Sequence, residues 1–522
     1  MKPPKKPIKK PKKIININEN TIQPVEEPGN TTEVYLNESL ERNLEYLQFT
    51  LKHSQDIIYK KILVGQRSTR MTIIYVDGMI NEEIVNNQVL KSLMRERFLY
   101  SKEEEIVTVL EEKILTVSDI EKTDNFETVI HALLTGDTLL LVEGSKEALI
   151  INSKGVEARE VEEANTEQTL RGPRESFIEG LKGNISLIRK RIRDQNLSVE
   201  FYQLGKTTAT DVAVVYLRGT AESTIVDEIK NRIKKIKVDR ITSSANVEQL
   251  IENYKWTIFP QMLATERPDK VVGSILEGRV AIIVDGTPFV LVAPATFAMF
   301  LNSADDYFER AIITSFIRMM RYISYFFATT LPGLYIALTA YHPGMLPTPL
   351  VLYITGTRVG LPFPFLVEIL FMEFTLEALL EASVRLPKPV GQTIGIVGGL
   401  VIGQAVVQAG LVSPIVVIIV ALTAITSFVL PNYTFSLTNR FLRLYFIVGG
   451  AVWGLYGIVT FWIIVVIHLA SIDSFSVRYL ADFSPYRLGN LKDTLFKAPV
   501  WLMEEIPPSL KEEKEDTENE GE

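Results

Sequence analysis

The chain of 522 residues contains no cysteine and only four histidines. Without cysteine there is no disulfide, no thiolate metal site, no haem attached through cysteine and no lipid attached through a cysteine. The histidines are scattered along the sequence, and no two of them stand at the spacing of metal ligands. We therefore expect no metal site and no cofactor.

The sequence also lacks the short motifs that identify common enzymes. It has no phosphate-binding loop, no nucleophile elbow and no helix with paired histidine ligands. The glycine-rich run Gly391–Gly403 lies in an uncharged segment, without the strand and helix that flank a dinucleotide-binding turn. The basic residues at 189–193 have no interleaved aromatic residues, so we expect no nucleic-acid partner. These absences predict a protein that is not an enzyme.

Charged residues are missing from three long stretches of the C-terminal half. No Asp, Glu, Lys or Arg occurs in residues 322–357, 389–439 or 444–472. A transmembrane helix needs about 20 consecutive, mainly apolar residues, whereas a helix at the surface of a soluble core keeps a polar face. The pattern predicts a polytopic, all-α transmembrane domain over residues 311–475. We expect its spans at Tyr322–Ala340, Gln392–Ala409, Pro414–Leu430 and Leu444–His468.

The first of these spans carries signals for its orientation and its shape. Arg318 and Arg321 precede it, which places its start on the cytoplasmic side by the positive-inside rule. The Pro332-Gly333 pair should bend or break the helix near the middle of the bilayer.

Two segments ahead of the apolar region look alike. The sequence IIYVDG at Ile73–Gly78 and the sequence VVYLRG at Val214–Gly219 are 141 residues apart. In each, a β-branched run stops at a glycine and passes into a helical pattern, which is typical of a strand–turn–helix unit. The repeat predicts two related β–α subdomains in a soluble α/β N-terminal region. Further strands are expected at Thr138–Val142 and Ala148–Asn152, and a hairpin at Val280–Val284 and Phe289–Val292.

These signals divide the chain into six parts. Seven lysines interleaved with proline begin the chain, and acidic residues end it, so both ends are expected to be disordered. The parts are a basic tail (1–40), subdomain 1 (41–160), subdomain 2 with a connecting helix (161–265), a hairpin that leads into the membrane (266–310), the transmembrane domain (311–475) and a C-terminal segment with an acidic tail (476–522).

One apolar segment, Pro362–Val384, contains four carboxylates. They are Glu368, Glu373, Glu377 and Glu381, and the last three share one helix face because they are four residues apart. An ionised carboxylate at the bilayer centre costs about 2.5–3.5 kcal/mol, taking the value for the comparable Asp. Three interpretations remain open: an amphipathic helix at the membrane interface, a helix that lines an aqueous pathway in an oligomer and favours cations, and a buried salt-bridge network.

A second pattern in the apolar region is a row of glycines. Gly391, Gly395, Gly399 and Gly403 recur every fourth residue and so lie on one face of a helix. Small residues at this spacing allow two helix backbones to approach closely in lipid. The pattern predicts tight helix packing, within this chain or with another.

Three segments together resemble the A-subunit family of GerA-type spore germination receptors, which includes the related stage V sporulation branch. They are RGPRESF at Arg171–Phe177, PFPFLVEILFMEFTLEALLEA at Pro362–Ala382, and Arg385–Tyr433, which holds the glycine row. The resemblance runs from about Tyr46 to Pro499. It implies a multi-pass protein of the spore inner membrane, with its N-terminal domain on the cytoplasmic, or core, side. It also implies two partners, a transporter-like B subunit that binds the nutrient and a lipoprotein C subunit.

The same resemblance implies that A subunits oligomerise into a ring-shaped channel that releases ions early in germination. It therefore favours the pore-lining interpretation of the glutamates. The predicted function is a subunit of a nutrient-gated cation channel. Two alternatives stay open: a secondary transporter built around discontinuous helices such as the one at Pro332-Gly333, and a non-conducting scaffold of the germination complex.

Overall fold

The protein consists of two β-sheet subdomains followed by a helical region. The computed structural model describes residues 34–64, 69–95, 106–111, 115, 117, 119–155, 164, 166–385, 403–484 and 493–502.

The first subdomain is a five-stranded sheet with helices on both faces. Its strand order is β1-β2-β4-β5-β3, and each neighbouring pair is antiparallel. The strands are β1 (Ile57–Val64), β2 (Thr69–Val76), β3 (Ile120–Thr123), β4 (Thr138–Val142) and β5 (Ala148–Ile151). The helices are α1 (Leu40–Thr50), α2 (Lys91–Arg95), α3 (Ile106–Val109) and α4 (Phe126–Leu134), with a π-helical segment at Ile84–Leu90.

Strand β4 explains why this subdomain has a core on each face of its sheet. Its sequence is continuously apolar, and every residue in it is buried. Leu139 and Leu141 point to the core shared with α1 and α4, whereas Leu140 points to the opposite core. Alternation of side chains along a strand therefore supplies both cores at once.

The second subdomain has the same architecture. Its strand order is β6-β7-β9-β10-β8, again with antiparallel neighbours. The strands are β6 (Leu197–Leu204), β7 (Thr210–Leu217), β8 (Leu263–Thr265), β9 (Val280–Val284) and β10 (Val290–Ala293). The helices are α5 (Leu181–Arg189), α6 (Ser223–Lys235), α7 (Ser244–Ile251) and α8 (Pro268–Leu276). The predicted hairpin forms as β9 and β10, and it extends this sheet instead of standing apart as a separate segment.

The two subdomains also match each other in detail. The repeated sequences form β2 and β7, and the glycines that end them, Gly78 and Gly219, have φ of 83° and 81°. A matching pair of buried asparagines closes the turn before α1 and α5. Asn43 accepts from the N–H of Asn37 and donates to its carbonyl, at 2.8 and 2.6 Å, and Asn184 makes the same two bonds with Ile178 at 2.8 and 2.6 Å.

The C-terminal region is helical. Its helices are α9 (Asp305–Phe308), α10 (Ala311–Ile336), α11 (Thr348–Gly356), α12 (Phe365–Arg385), α13 (Pro414–Phe428), α14 (Tyr433–Trp453) and α15 (Leu455–Ser471). Short elements are 3₁₀ turns at Phe297–Phe300, Pro343–Met345 and Val500–Leu502, a π-helical turn at Ala337–Tyr341, and strands β11 (Asp473–Ser474) and β12 (Val477–Arg478). Among the described residues, one helix, Ala311–Tyr341, is long and apolar enough to cross a membrane, and α13 and α15 are shorter apolar helices.

Two expectations about individual spans are corrected. Helix α10 continues through Pro332 to Ile336 and then into the π-helical turn, so the Pro332-Gly333 pair does not break it, and a bend there stays a prediction. The expected span Leu444–His468 is divided at Gly454, whose φ of 60° is a conformation that glycine adopts without strain. Helices α14 and α15 fold back on each other at this point. The expected span Gln392–Ala409 lies mostly outside the described residues.

The second subdomain packs directly on the helices, without a linker. One hydrophobic core runs from its sheet into α10, α14 and α15. At the centre, the Phe297 ring makes edge-on contacts with Tyr325 and Phe435, at centroid distances of 5.6 and 5.5 Å. Because the core is continuous, a displacement of the subdomain must also move the helices.

A buried ion pair joins the two subdomains. Arg189, at the end of α5, donates from Nε and Nη2 to the two carboxylate oxygens of Asp56, at 2.8 Å each. Its Nη2 also donates to the Ser54 hydroxyl at 3.0 Å. Both charged side chains are fully buried. Two backbone hydrogen bonds support the same contact: the Val199 N–H donates to the His53 carbonyl, and the Gln55 N–H donates to the Val199 carbonyl.

We expect Arg189→Ala to destabilise the full-length protein strongly, because it leaves the Asp56 carboxylate buried without a cation. Breaking such a pair costs about 3–5 kcal/mol. The measurement is the thermal unfolding midpoint of the detergent-solubilised chain. The matched control is Arg70→Ala, which removes an ion pair to Glu41 in which both side chains are exposed. Equal midpoints for the two variants would contradict the prediction.

Candidate functional site

Arg443 is the centre of a buried polar cluster among the C-terminal helices. It lies on α14, and its Nη1 is 2.7 Å from Oε2 of Glu373 on α12. Its Nε donates to the carbonyl of Ala328 on α10 at 2.9 Å, and its Nη2 donates to the hydroxyl of Ser427 on α13 at 2.8 Å. One guanidinium therefore connects four helices. We call these residues the Arg443 cluster.

Glu368 is also paired inside the protein. Its Oε1 is 2.7 Å from Nη2 of Arg358, and its Oε2 accepts from the backbone N–H of Ser413 at 3.0 Å. The Arg358 guanidinium lies over the Phe365 ring, 3.3 Å from its centroid. The Glu368 side chain is fully buried, so its charge is neutralised within the chain.

The other two glutamates of α12 lie at the surface. Glu377 is 51% exposed and Glu381 is 60% exposed. Glu377 pairs with Arg440 of α14 at 3.2 Å, and Glu381 pairs with Arg385, one helical turn further on, at 2.5 Å. The structure therefore separates the four predicted residues into a buried pair and an exposed pair. Every one of them has an arginine partner, but only the pairs of Glu368 and Glu373 are buried, and pore lining by any of the four stays a prediction.

The arginine partners of α12 were not identified from the sequence. Arg358 directly follows the uncharged stretch 322–357, and Arg440 and Arg443 are the two charges between the stretches 389–439 and 444–472. The position of a charge at the edge of an apolar run is therefore the signal by which these arginines could be found in the sequence. It does not show which carboxylate is the partner, because Glu373 and Arg443 are 70 residues apart.

The tightest helix contacts in the described residues use other glycines than the predicted row. Gly391, Gly395 and Gly399 lie outside the described residues, and a Cβ on Gly403 would make only an ordinary contact with Val417. In contrast, a Cβ on Gly333 of α10 would overlap the Phe446 carbonyl of α14. A Cβ on Gly450 of α14 would overlap the Gly333 carbonyl, and one on Gly457 of α15 would overlap the Gly449 carbonyl. The backbones of α10, α14 and α15 therefore touch at glycines.

A second buried cluster joins the soluble part, helix α10 and the C-terminal segment. The carboxylate of Asp306 is 3.1 Å from Nε of Arg318 and 2.7 Å from Nη1 of Arg321. Arg318 also contacts Asp493 at 2.8 Å, and the Lys497 ammonium donates to the Asp306 carbonyl at 2.5 Å. We call these five residues the junction cluster. The two arginines expected to flank a span are thus ion-paired within the first turns of α10.

A cleft of about 1190 Å³ lies between the two subdomains. It is larger than the usual binding cavity for a small organic molecule. Lys182 and Asp77 form an ion pair of 2.7 Å across it, and the hydrogen bond that the ammonium donates to the Asp77 carboxylate raises the pKa of the lysine. Among the residues that the structure describes, the other charged groups that line it are carboxylates: Glu82, Glu83, Glu179, Asp211, Glu266 and Asp285. Such a lining favours a ligand that carries positive charge.

We expect Arg443→Met to destabilise the helical region, because Glu373 would remain buried without its cation. The expected cost is about 3–5 kcal/mol, observed as a lower thermal midpoint of the detergent-solubilised chain. The double change Arg443→Met with Glu373→Met should recover most of the loss, since it removes both charges.

The matched control is Arg385→Met, which removes an exposed pair with Glu381 on a single helix. It should change the midpoint little. If the double variant is no more stable than the single Arg443 variant, the unpaired charge of Glu373 is not the cause of the destabilisation.

The chain was compared with known proteins. The family model described as Bacillus/Clostridium GerA spore germination protein matches residues 45–509. Spore germination protein KA of Bacillus subtilis is 39% identical over 481 residues, 92% of this chain and 88% of that protein. The uncharacterized membrane protein YfkQ and spore germination protein B1 of the same organism are each 36% identical, over 94% and 90% of this chain and 95% and 97% of their own lengths.

One solved structure is also similar. It is the crystal structure of the N-terminal domain of the A subunit of the Bacillus megaterium spore germinant receptor GerK3, at 33% identity and a TM-score of 0.41. The similar region covers 51% of this chain and 98% of the chain in the crystal structure. The resemblance seen in the sequence motifs is confirmed by the family match and by relatives that are similar over nearly their whole length. The chain belongs to the GerA family of spore germination proteins, the family of germinant receptor A subunits.

Proposed function

We propose that this A subunit spans the spore inner membrane several times and assembles with copies of itself into a nutrient-gated cation channel. The observation that carries the proposal is the outward face of α12, where Glu377 and Glu381 are exposed in an otherwise apolar region. An ionised carboxylate is unfavourable in lipid. In a ring of subunits, these carboxylates would line water instead and attract cations.

The exposed surface of the helices supports insertion in a membrane. Large apolar side chains cover the outside of α10, including Ile312 at 86% exposed and Phe316 at 59% exposed. The hairpin of α14 and α15 carries a similar belt, with Val448, Val459 and Ile467 each at least half exposed. An exposed apolar surface that extends over α10, α14 and α15 is typical of a membrane or protein interface. Helix α10 with its π-helical extension would supply one complete span.

Gating in this proposal is a shift between a closed and an open arrangement of the helices. The Arg443 cluster holds α10, α12, α13 and α14 together, and the junction cluster connects α10 to the soluble part. A nutrient bound to the transporter-like B subunit would favour the open arrangement only if that subunit contacts the two states with different affinity. The lipoprotein C subunit completes the proposed receptor.

A secondary transporter and a non-conducting scaffold account for fewer of these features. A secondary transporter uses discontinuous helices around a central site, and α10 is continuous through Pro332. A non-conducting scaffold would need no exposed carboxylates on α12. The channel therefore accounts for more of the structure than either alternative.

The double change Glu377→Gln with Glu381→Gln tests the pore. Receptor containing the A, B and C subunits would be reconstituted in planar bilayers, and the permeability ratio of K⁺ to Cl⁻ measured from reversal potentials. The ratio should fall by about fivefold or more, the factor that a loss of about 1 kcal/mol of attraction per cation produces. Neutralising these two groups should leave the fold intact because both are exposed.

The control is Glu41→Gln with Glu45→Gln, an exposed pair with the same spacing on α1. It should keep the wild-type ratio. An unchanged ratio in the α12 variant would remove these residues from the pathway. Absence of any conductance from the wild-type receptor would favour the scaffold.

The cleft between the subdomains supports a second function for the same subunit, the binding of a small cationic molecule. Because the second subdomain shares its core with the helices, closure of the cleft would be transmitted to them. L-arginine and L-lysine are suitable probes, with L-alanine as the uncharged comparison. A bound probe should raise the thermal midpoint of the full chain, with about 2.7 kcal/mol of stabilisation at a concentration of 100 Kd.

The variant for this test is Glu82→Gln with Glu179→Gln, which neutralises one exposed carboxylate on each side of the cleft. It should lose most of the shift with the cationic probes and keep its midpoint without them. An equal shift in wild type and variant would place the probe elsewhere.

A further inference from the structure

We infer that the loop of residues 253–257 inserts Trp256 into the headgroup layer of the membrane and so anchors the soluble part of the chain to the lipid surface. This inference rests on the proposed function, because it requires that α15 is embedded in a membrane. The loop connects α7 to β8 and lies in the second subdomain.

The loop is held rigidly at its base. The buried side chain of Gln261 accepts from the N–H groups of Asn253 and Tyr254, at 3.0 and 3.1 Å, and donates to the Tyr254 carbonyl at 2.9 Å. Three hydrogen bonds of one side chain therefore fix the backbone on which Trp256 stands. An ordered loop can present a large side chain outward without losing much additional conformational entropy.

The loop is docked at the C-terminal end of α15. The Tyr254 hydroxyl donates to the Ser471 carbonyl at 2.8 Å, and the Thr257 hydroxyl lies 2.8 Å from Nε2 of His468. The Asn253 side chain donates to the Asp473 carbonyl, also at 2.8 Å. These bonds place the loop where the apolar helix ends.

Trp256 projects away from the protein. It is 99% exposed, the highest value among the large hydrophobic side chains of the described residues. Lys255 beside it is exposed as well. A fully exposed indole next to an ammonium contributes nothing to the core of the subdomain, and it is free to contact a surface outside the chain.

The depth of the loop matches the interfacial layer of a bilayer. Ile467, 63% exposed, is the last large exposed apolar residue of α15, and the loop contacts His468 and Ser471, about 2 and 6 Å further along the axis. The headgroup layer on each side of the hydrocarbon core is about 5–7 Å thick. Tryptophan is enriched in this layer, since its ring is apolar and its N–H is polar. Lys255 would contribute attraction to anionic headgroups.

Spin labels attached to cysteine test the inference in the intact chain. Because the chain contains no cysteine, Trp256→Cys can be labelled at one position. The protein would be reconstituted in vesicles of phosphatidylcholine and phosphatidylglycerol, and the accessibility of the label to oxygen and to a water-soluble nickel chelate measured. The matched controls are Ile467→Cys on the exposed face of α15 and Phe49→Cys, 72% exposed on α1 of the first subdomain.

The label at position 256 should have a depth between those of the two controls, at the headgroup layer. A depth equal to that of the Phe49 control overturns the inference, as does an immobilised label that neither reagent reaches, which would indicate a protein partner or a second copy of this chain. If the Ile467 control itself lies in water, it is the proposed membrane insertion of α15 that fails.

Intrinsic fluorescence provides a second measurement without a cysteine. Lipids brominated near the headgroup quench tryptophan at that depth, and the chain contains four tryptophans. These lipids should quench the emission of Trp256, so a larger fraction of the total emission should be quenched in wild type than in Trp256→Phe. Equal fractional quenching of the two proteins would contradict the inference.

Discussion

The carboxylate of Asp306 lies where the soluble part of the chain meets its helices, and two arginines of α10 neutralise it. Arg318 and Arg321 are drawn into the interior by this one acid, and Arg318 holds Asp493 on its other side. The C-terminal segment is thereby fixed beside the start of α10, although nearly the whole helical region separates the two in the sequence. Removing the Asp306 carboxylate would leave Arg321 buried without an acidic partner, and Arg318 with Asp493 alone.

The same rule of paired charges organises the helical region. Glu368 and Glu373 are buried only because Arg358 and Arg443 accompany them, and Arg443 completes its hydrogen bonds with a backbone carbonyl and a hydroxyl. Polar groups that face the interior of a helical bundle connect the helices specifically, whereas apolar contacts do not select one arrangement. The exposed members of the set, Glu377 and Glu381, are consequently the ones available to solvent or to another subunit.

Much of the soluble region could be predicted from the sequence, because its signals are local. The repeated IIYVDG and VVYLRG segments form equivalent strands that end at glycines of equal conformation. The strand orders and the paired roles of Asn43 and Asn184 could not be predicted, since they depend on which segments become neighbours. In the helical region, hydropathy indicated where helices lie. It did not show that the chain turns at Gly454 or that the α12 carboxylates have arginine partners on distant segments, because both depend on tertiary packing.

The glycine contact between α10 and α14 has a mechanical consequence. Where Gly333 meets Gly450, neither helix places a side chain between the two backbones, so the contact fixes the distance between the axes more strongly than the angle between them. Gly333 lies about 33 Å from the start of α10 at Ala311 and about 12 Å from Tyr341. A rotation of α10 about the Gly333 contact would therefore displace its start, beside the soluble subdomain, nearly three times as far as its other end at Tyr341.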